Sequence, residues 1–333
     1  MGHRKYSAPR RGSLTYAPRR RARSPNPRVN FWPVRRGETG LAGFIAYKLG
    51  MVTTFMVDDI PGSPTRGTEV AVGCTVLAAP PIHVIGAVLL KRENGYLVDI
   101  GRHIIPNLPP EITQRVRGVG ETSISIEDLR KLLDKAAEVR ALVASYPREA
   151  GLSQKKPIIL SIPVSGGVEE AFSYLVSRLG SRLSVNEVFR EGEFIDVVGV
   201  TRGRGFQGVV RRFGVKILPR KQRKTRRAVG AIGGRSPKYI TRFVPRAGQT
   251  GFHYRTEYNK RIVKFWPAEA APTPKGGYTR APPPKCPSVA LLGSVAGPPR
   301  RPLVLRAPAK PPRYRLEAPK LSTIMYAGEV LAS

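Results

Sequence analysis

The chain has 333 residues, 41% of them hydrophobic, and a formal net charge of +34. That hydrophobic fraction excludes a wholly disordered protein, and so large an excess of one sign repels itself in water unless a dense polyanion takes it up. No stretch approaches the roughly 18 consecutive apolar residues of a membrane span, so no membrane partner is expected.

The charge is unevenly placed. Residues 1–37 carry 11 Lys and Arg and no acid, and residues 201–265 carry 19 against Glu257 alone. Residues 38–200 are nearly neutral, with 17 bases and 19 acids. A balanced globular body with basic extensions points to nucleic acid as the partner. The start of the chain has charge but no apolar core of a signal peptide, so no secretory leader is expected. Met1-Gly2 is followed by Tyr6 where a myristoylation motif needs Ser or Thr. Cys74 and Cys286 are too few and too far apart for a disulfide framework or a zinc site, and a reducing, cytoplasmic setting is the default.

In residues 1–37, Pro9, Pro18, Pro25, Pro27 and Pro33 exclude a helix, and Tyr6, Tyr16, Phe31 and Trp32 are interleaved with arginines. A solvated tail has no need of those aromatics. An arm lying in RNA grooves, stacking rings and guanidinium planes on exposed bases, does.

From Leu41 the texture becomes short β-like runs. LAGFIAYK (41–48) and MVTTFMV (51–57) flank Gly50 as a hairpin pair. EVAVGCTVLA (69–78), HVIGAVLL (83–90) and YLVDI (96–100) follow, the last two joined by Asn94-Gly95, a turn in which both residues tolerate positive φ. Ser125 and Asp128 open a helix whose face is Leu129, Leu132, Leu133, Ala136, Val139 and Val143, ending before Pro147. A second helix is predicted from Val168 to Leu179, with Gly180 as its stop. IILSIPV (158–164) and FIDVVGV (194–200) return to strand. The fold class is mainly β with an α insertion: a closed β-barrel with a helical insertion and long basic extensions.

Residues 211–261 show isolated apolar positions that never make a face, and read as a long functional loop. Beyond Pro267 the chain is Pro-rich, with two clear strand-like runs, VALLGSV (289–295) and LVLR (303–306). The expected organisation is a basic arm (1–37), a first barrel part (38–102) and a helical insertion with a returning strand (103–193). A barrel strand with a glycine-rich turn (194–214), a basic loop extension (215–262) and a Pro-rich part completing the barrel (263–333) follow.

Gly203, Gly205 and Gly208 match the dinucleotide fingerprint, but VVRRFGVKILPRK after them does not read as a helix and no acid follows about 20 residues on. A glycine-rich turn whose bare backbone lets Arg202, Arg204, Arg211 and Arg212 meet phosphates is the better reading. His3, His83, His103 and His253 form no metal pattern. The pairs Asp58-Asp59 and Glu169-Glu170 suit a turn and a helix start. No nucleophile has a matching base, so no enzyme and no cofactor is expected.

Phe189, Asp196, Gly199, Thr201, Gly203, Arg204, Gly205, Gly208 and Arg212 stand at the spacing of a long signature, and with it the chain resembles the family of protein three of the large ribosomal subunit. HRKYSAPRRGSL (3–14), Ala46-Tyr47-Lys48-Leu49-Gly50-Met51, LPRK (218–221), PRAGQTGFHYRTEYNKRI (245–262) and GSVAGP (293–298) extend the resemblance over nearly the whole chain, in its archaeal and eukaryotic-type branch. The resemblance implies a translation-factor-like barrel on the outside of the large subunit. It further implies an arm and a loop sent through ribosomal RNA towards the peptidyl transferase centre, and an early role in assembly without chemistry of its own. It implies neighbours among the large-subunit proteins, those numbered fourteen and twenty-four, and no homo-oligomer.

On that reading the RNA-binding residues are Arg4, Lys5, Arg10, Arg11, Arg19, Arg20, Arg21, Arg202, Arg204, Arg211, Arg212, Arg220, Lys221, Arg223, Lys224, Arg226 and Arg227, then Arg235, Arg242, Arg246, Gln249, His253, Arg255, Lys260 and Arg261. Two features depart from the family pattern. Arg235 stands where many relatives place a loop-tip Trp, and LSTIMYAGEVLAS lacks the glycine- and aromatic-rich finish of eukaryotic relatives. The competing readings are a DNA-compacting protein, which would carry its bases on a repeat or a helix face, and an RNA-modifying or RNA-cleaving enzyme, which would need an acid–base or metal cluster. Neither feature is visible.

Overall fold

A computed structural model describes residues 7, 9, 11–13, 16–33, 39–116, 123–222, 225–230, 232–233, 236, 238–314 and 316–332. The elements in chain order begin with β1 (Gly40–Leu41), β2 (Gly43–Val57), β3 (Glu69–Ala78), β4 (Ile82–Glu93) and β5 (Tyr96–Ile104). Next come α1 (Pro110–Val116), α2 (Ile126–Lys131), β6 (Glu138–Ser145), β7 (Ile158–Ser165), α3 (Val168–Arg178), β8 (Arg182–Leu183) and β9 (Phe194–Val200). The remainder are β10 (Phe206–Gln207), α4 (Val209–Phe213), β11 (Gly248–Gln249), β12 (Tyr254–Trp266), β13 (Ser288–Leu292), β14 (Pro302–Arg306), β15 (Leu321–Tyr326) and β16 (Glu329–Ala332).

The chain divides into two compact units. Residues 1–25 and 200–254 form the first, and residues 26–199 and 255–333 form the second. In the second unit the sheet runs β14-β9-β12-β13-β3-β2, and β14 also pairs with β2, so six strands close a hydrogen-bonded ring. The ring accounts for the burial pattern of β2. Its first half, paired to β14 and β3, is buried on both faces, whereas the half from Met51 to Val57 alternates. The β15–β16 hairpin pairs with that second half. A separate sheet runs β1-β7-β6-β4-β5, with β8 also on β4, and α3 packs on it through Ala171, Phe172 and Leu175.

Both hydrophobic clusters, including Phe44, Tyr47, Leu77, Ile162, Phe189, Val197 and Leu305, lie in the second unit. Two ion pairs are set into it. Arg306 donates to Asp196 at 3.0 Å, and Asp196 also accepts from the backbone nitrogens of Asn259 and Ala309. Arg261 holds Asp59 through both carboxylate oxygens, at 2.6 and 2.5 Å. Asn26–Pro33 belongs to this unit too: Trp32 lies where a side chain on Gly43 would go, and the Phe31 carbonyl accepts from Arg306.

Mainly β is the observed class. The Asn94-Gly95 turn has both residues at positive φ, +48° and +80°, as a two-residue hairpin requires. Five local expectations are corrected. Residues 43–57 form one strand, and Gly50 marks a bulge against the Tyr278 ring, which a side chain there would strike. The helix expected through residue 146 ends at Lys131. Glu138–Ser145 is a strand, whose β-branched Val139 and Val143 share a buried face with Ala141. The insertion is therefore a sheet with short helices. The glycine turn is followed by a helix after all, the five residues of α4 capped by left-handed Gly214. The stretch from Tyr254 is a strand and not loop, because β13 and β9 flank it in the ring. The C-terminal part has β15 and β16 besides its two legible strands.

Candidate nucleic-acid interface

The first unit holds 80 residues with 23 Lys and Arg and not one Asp or Glu. Its charges cannot be paired internally with carboxylates, so its backbone and rings must brace them. The frame is a two-stranded ribbon. The turn 201–207 runs antiparallel to 248–253, with Thr201 donating to the His253 carbonyl, Arg204 to that of Thr250 and Thr250 to that of Gly205. Gly251, at φ +71°, lies so close to the Arg202 carbonyl that a side chain there would collide with it, and Gly205 sits at φ +68°.

The described part of the arm is fastened to this ribbon and to α4. Ala22 donates to the Phe252 carbonyl at 2.7 Å, and the His253 ring Nδ1 lies 2.7 Å from the Arg20 carbonyl. A helix C-terminus leaves carbonyls without partners and concentrates negative potential there. Arg19 takes the Arg212 carbonyl at 2.8 Å and Arg11 the Gly214 carbonyl at 2.9 Å. The Arg19 guanidinium stands 4.4 Å from the Phe213 ring centroid, a cation–π contact. Arg212 donates to the carbonyls of Gln249 and Arg246, tying α4 to β11. Its pKa is pulled below the usual guanidinium value, first by burial and then by the neighbouring charge of Arg19. Like charges are thus held together on a scaffold of carbonyls, with no anion of the chain's own.

The sequence-derived residues that the structure describes fall into three groups. Arg20, Arg21, Arg202, Arg204, Arg211, Arg220, Lys221, Arg226, Arg227, Arg242 and Arg246 are exposed. Arg11, Arg19, Arg212, Gln249 and His253 are partly or fully buried and hold the ribbon and arm in shape. Arg255, Lys260 and Arg261 belong to the second unit. Lys260 is 3.6 Å from Glu257, and Arg261, 1% exposed, is committed to Asp59, which corrects its assignment to a nucleic-acid surface. Gly203 and Gly205 lie in the turn and Gly208 caps α4, with open space where side chains on Gly205 and Gly208 would stand. Arg4, Lys5, Arg10, Arg223, Lys224 and the tip residue Arg235 lie outside the described residues.

Sequence reasoning chose bases and passed over exposed aromatics of this unit, Phe206, Tyr239 and Phe243. The signal was present, since each stands within four residues of an arginine or lysine with no apolar periodicity around it. Among the described residues no group of three or more His, Cys, Asp or Glu could hold a metal ion. His83 stacks near Tyr146, and the His103 ring is held by the Ile124 carbonyl.

The model of the ribosomal protein L3 family matches residues 1–97 and 113–330. The chain belongs to that family. It is 44% identical to the large ribosomal subunit protein uL3 of Pyrobaculum calidifontis, over 93% of this chain and 94% of that one. The uL3 of Aeropyrum pernix is also 44% identical, over 95% and 94%. That of Methanocaldococcus jannaschii is 41% identical, over 95% and 96%. Three of the signature residues have structural roles in the fold. Asp196 takes the buried Arg306, Gly199 packs beneath Leu303, and Arg212 ties α4 to the ribbon.

Proposed function

We propose that this chain is a structural constituent of the large ribosomal subunit in the cytoplasm, that it binds large-subunit RNA and takes part early in assembly, and that it catalyses no reaction. The observation that carries the reading is the acid-free unit, whose sequence has 23 bases and whose described residues include a hydrogen-bonded ribbon and arm. Phosphates would neutralise the exposed arginines, releasing counterions, while the internally braced ones keep the unit's shape before RNA arrives. The family supports the partner. The finer reading rests on the sequence resemblance: the arm and the basic loop expected at 215–262, which in the structure ends before β12, reach through RNA towards the peptidyl transferase centre. Within the subunit the proteins numbered fourteen and twenty-four are its neighbours. The test is sedimentation of the tagged chain in cells. It should travel with the large subunit and stay through a high-salt wash, and release into the soluble fraction at moderate salt would overturn the reading.

A further inference from the structure

The ribbon's two faces are unequal. Phe206 lies directly opposite Gln249, and Gln207 opposite Gly248. Opposed residues of an antiparallel pair share a face, and the next pair takes the other. The Arg212 guanidinium occupies the space beside Gly248 where a side chain would stand, so the Gln207–Gly248 face is covered. The Phe206–Gln249 face is open, and the Phe206 side chain is 76% exposed. The amide nitrogen of Gln249 donates to the Gly251 carbonyl at 3.0 Å, holding that side chain along the ribbon beside the ring. No side chain rises from Gly205 or Gly208, and the space at both is empty.

We propose that Phe206 is a stacking platform for one unpaired nucleobase of large-subunit RNA, with Gln249 at the edge of the stacked base. The proposal rests on the RNA-binding reading of this unit and names a ligand group and a residue for it. Two observations and one general property of RNA select a base as the occupant. An open aromatic face on a hydrogen-bonded two-stranded frame fits a flat ring. The unit has no carboxylate, and exposed Arg202, Arg204 and Arg211 stand within five residues of Phe206, so the strand that brings the base has its phosphates met. Unpaired RNA bases are splayed out and free to stack, whereas duplex bases are already stacked on one another.

The experiment uses the full chain and deproteinised large-subunit RNA, with affinity measured over a range of salt for wild type, Phe206→Ala, Phe206→Leu and Phe206→Tyr. Phe206→Ala should weaken binding roughly 5- to 150-fold, as loss of one base stack does, with the log–log salt slope unchanged because no phosphate contact is removed. Phe206→Tyr should bind like wild type and Phe206→Leu like the alanine variant. Chemical probing should show one unpaired nucleotide gaining reactivity in Phe206→Ala. Thermal unfolding equal to wild type in all variants shows that folding is not what changed. Unchanged affinity of Phe206→Ala, or full recovery with leucine, would overturn the stacking site; leucine recovery would instead indicate an apolar contact. A steep wild-type slope with an inert Phe206 sinks this proposal alone, whereas a flat wild-type slope sinks the RNA reading itself.

Discussion

Arginine does opposite work in the two units. The larger one spans 253 residues with 34 Lys and Arg against 23 acids, and two of its arginines are buried against carboxylates. Arg306 and Arg261 are almost fully buried, and each donates to an aspartate and to one backbone carbonyl while its Nε stays unpartnered among the described residues. The smaller unit has no acid, and its inward arginines, Arg11, Arg19 and Arg212, are held by carbonyls and the Phe213 ring. A carboxylate cancels a charge, while a carbonyl only orients it. The first unit is therefore shaped yet uncompensated. It is built to be completed by an anion, whereas the second carries carboxylates of its own against its buried arginines.

The sharpest way to break this contrast is salt. If about ten exposed bases of the first unit neutralise phosphates, affinity for large-subunit RNA falls with a log–log slope of roughly −7, or about 10⁴-fold between 50 and 200 mM salt. The cooperative unfolding of the second unit should respond far less, because buried pairs are poorly screened. A slope shallower than about −2 would show that the charge is not at the interface. The next largest effect reverses the roles. Asp196→Ala strips the buried Arg306 of its carboxylate and orphans the backbone nitrogens of Asn259 and Ala309. That should cost about 3–5 kcal/mol in denaturant unfolding. A loss under about 1 kcal/mol would mean water or another group reaches the guanidinium.

The contrast also marks what the sequence displays. EVAVGCTVLA and the Asn94-Gly95 turn were legible because alternation and turn chemistry are local. Residues 125–145 were not, since Leu129, Leu132, Leu133, Ala136, Val139 and Val143 keep a helical spacing while Glu138–Ser145 also alternates. Pairing with β4 and β7, remote in sequence, decides for strand. β15 escaped notice because its stability comes from the free edge of β2, more than 260 residues earlier. In the basic unit the total charge was plain, but the direction of each arginine was not. Arg212, Arg220 and Arg261 look alike in sequence, yet one braces a ribbon, one is exposed and one is buried against Asp59. The aromatic among the arginines was visible at Phe206, but only the register of β10 against β11 gives the face it takes.

The smallest expected effect isolates the exposed class. Arg220 is exposed in an irregular stretch, after Pro219 and before Lys221. Replacing it with alanine removes little packing, so unfolding should shift by no more than about 0.5 kcal/mol in either direction. If its guanidinium meets one phosphate, binding weakens to a similar degree for every RNA sequence that fits, and the salt slope becomes shallower by about 0.7. Arg19→Ala is the control from the same unit. It loses the Arg212 carbonyl and the Phe213 ring together. The arm should then be cleaved faster by a protease, because local opening no longer has to break those contacts. The two variants are compared by limited proteolysis and by binding across salt. Faster cleavage confined to Arg19→Ala, with the cleaner slope change in Arg220→Ala, separates bracing arginines from phosphate-facing ones. Equal slopes in wild type and Arg220→Ala would remove Arg220 from the interface and leave the division between the units standing on the other exposed bases.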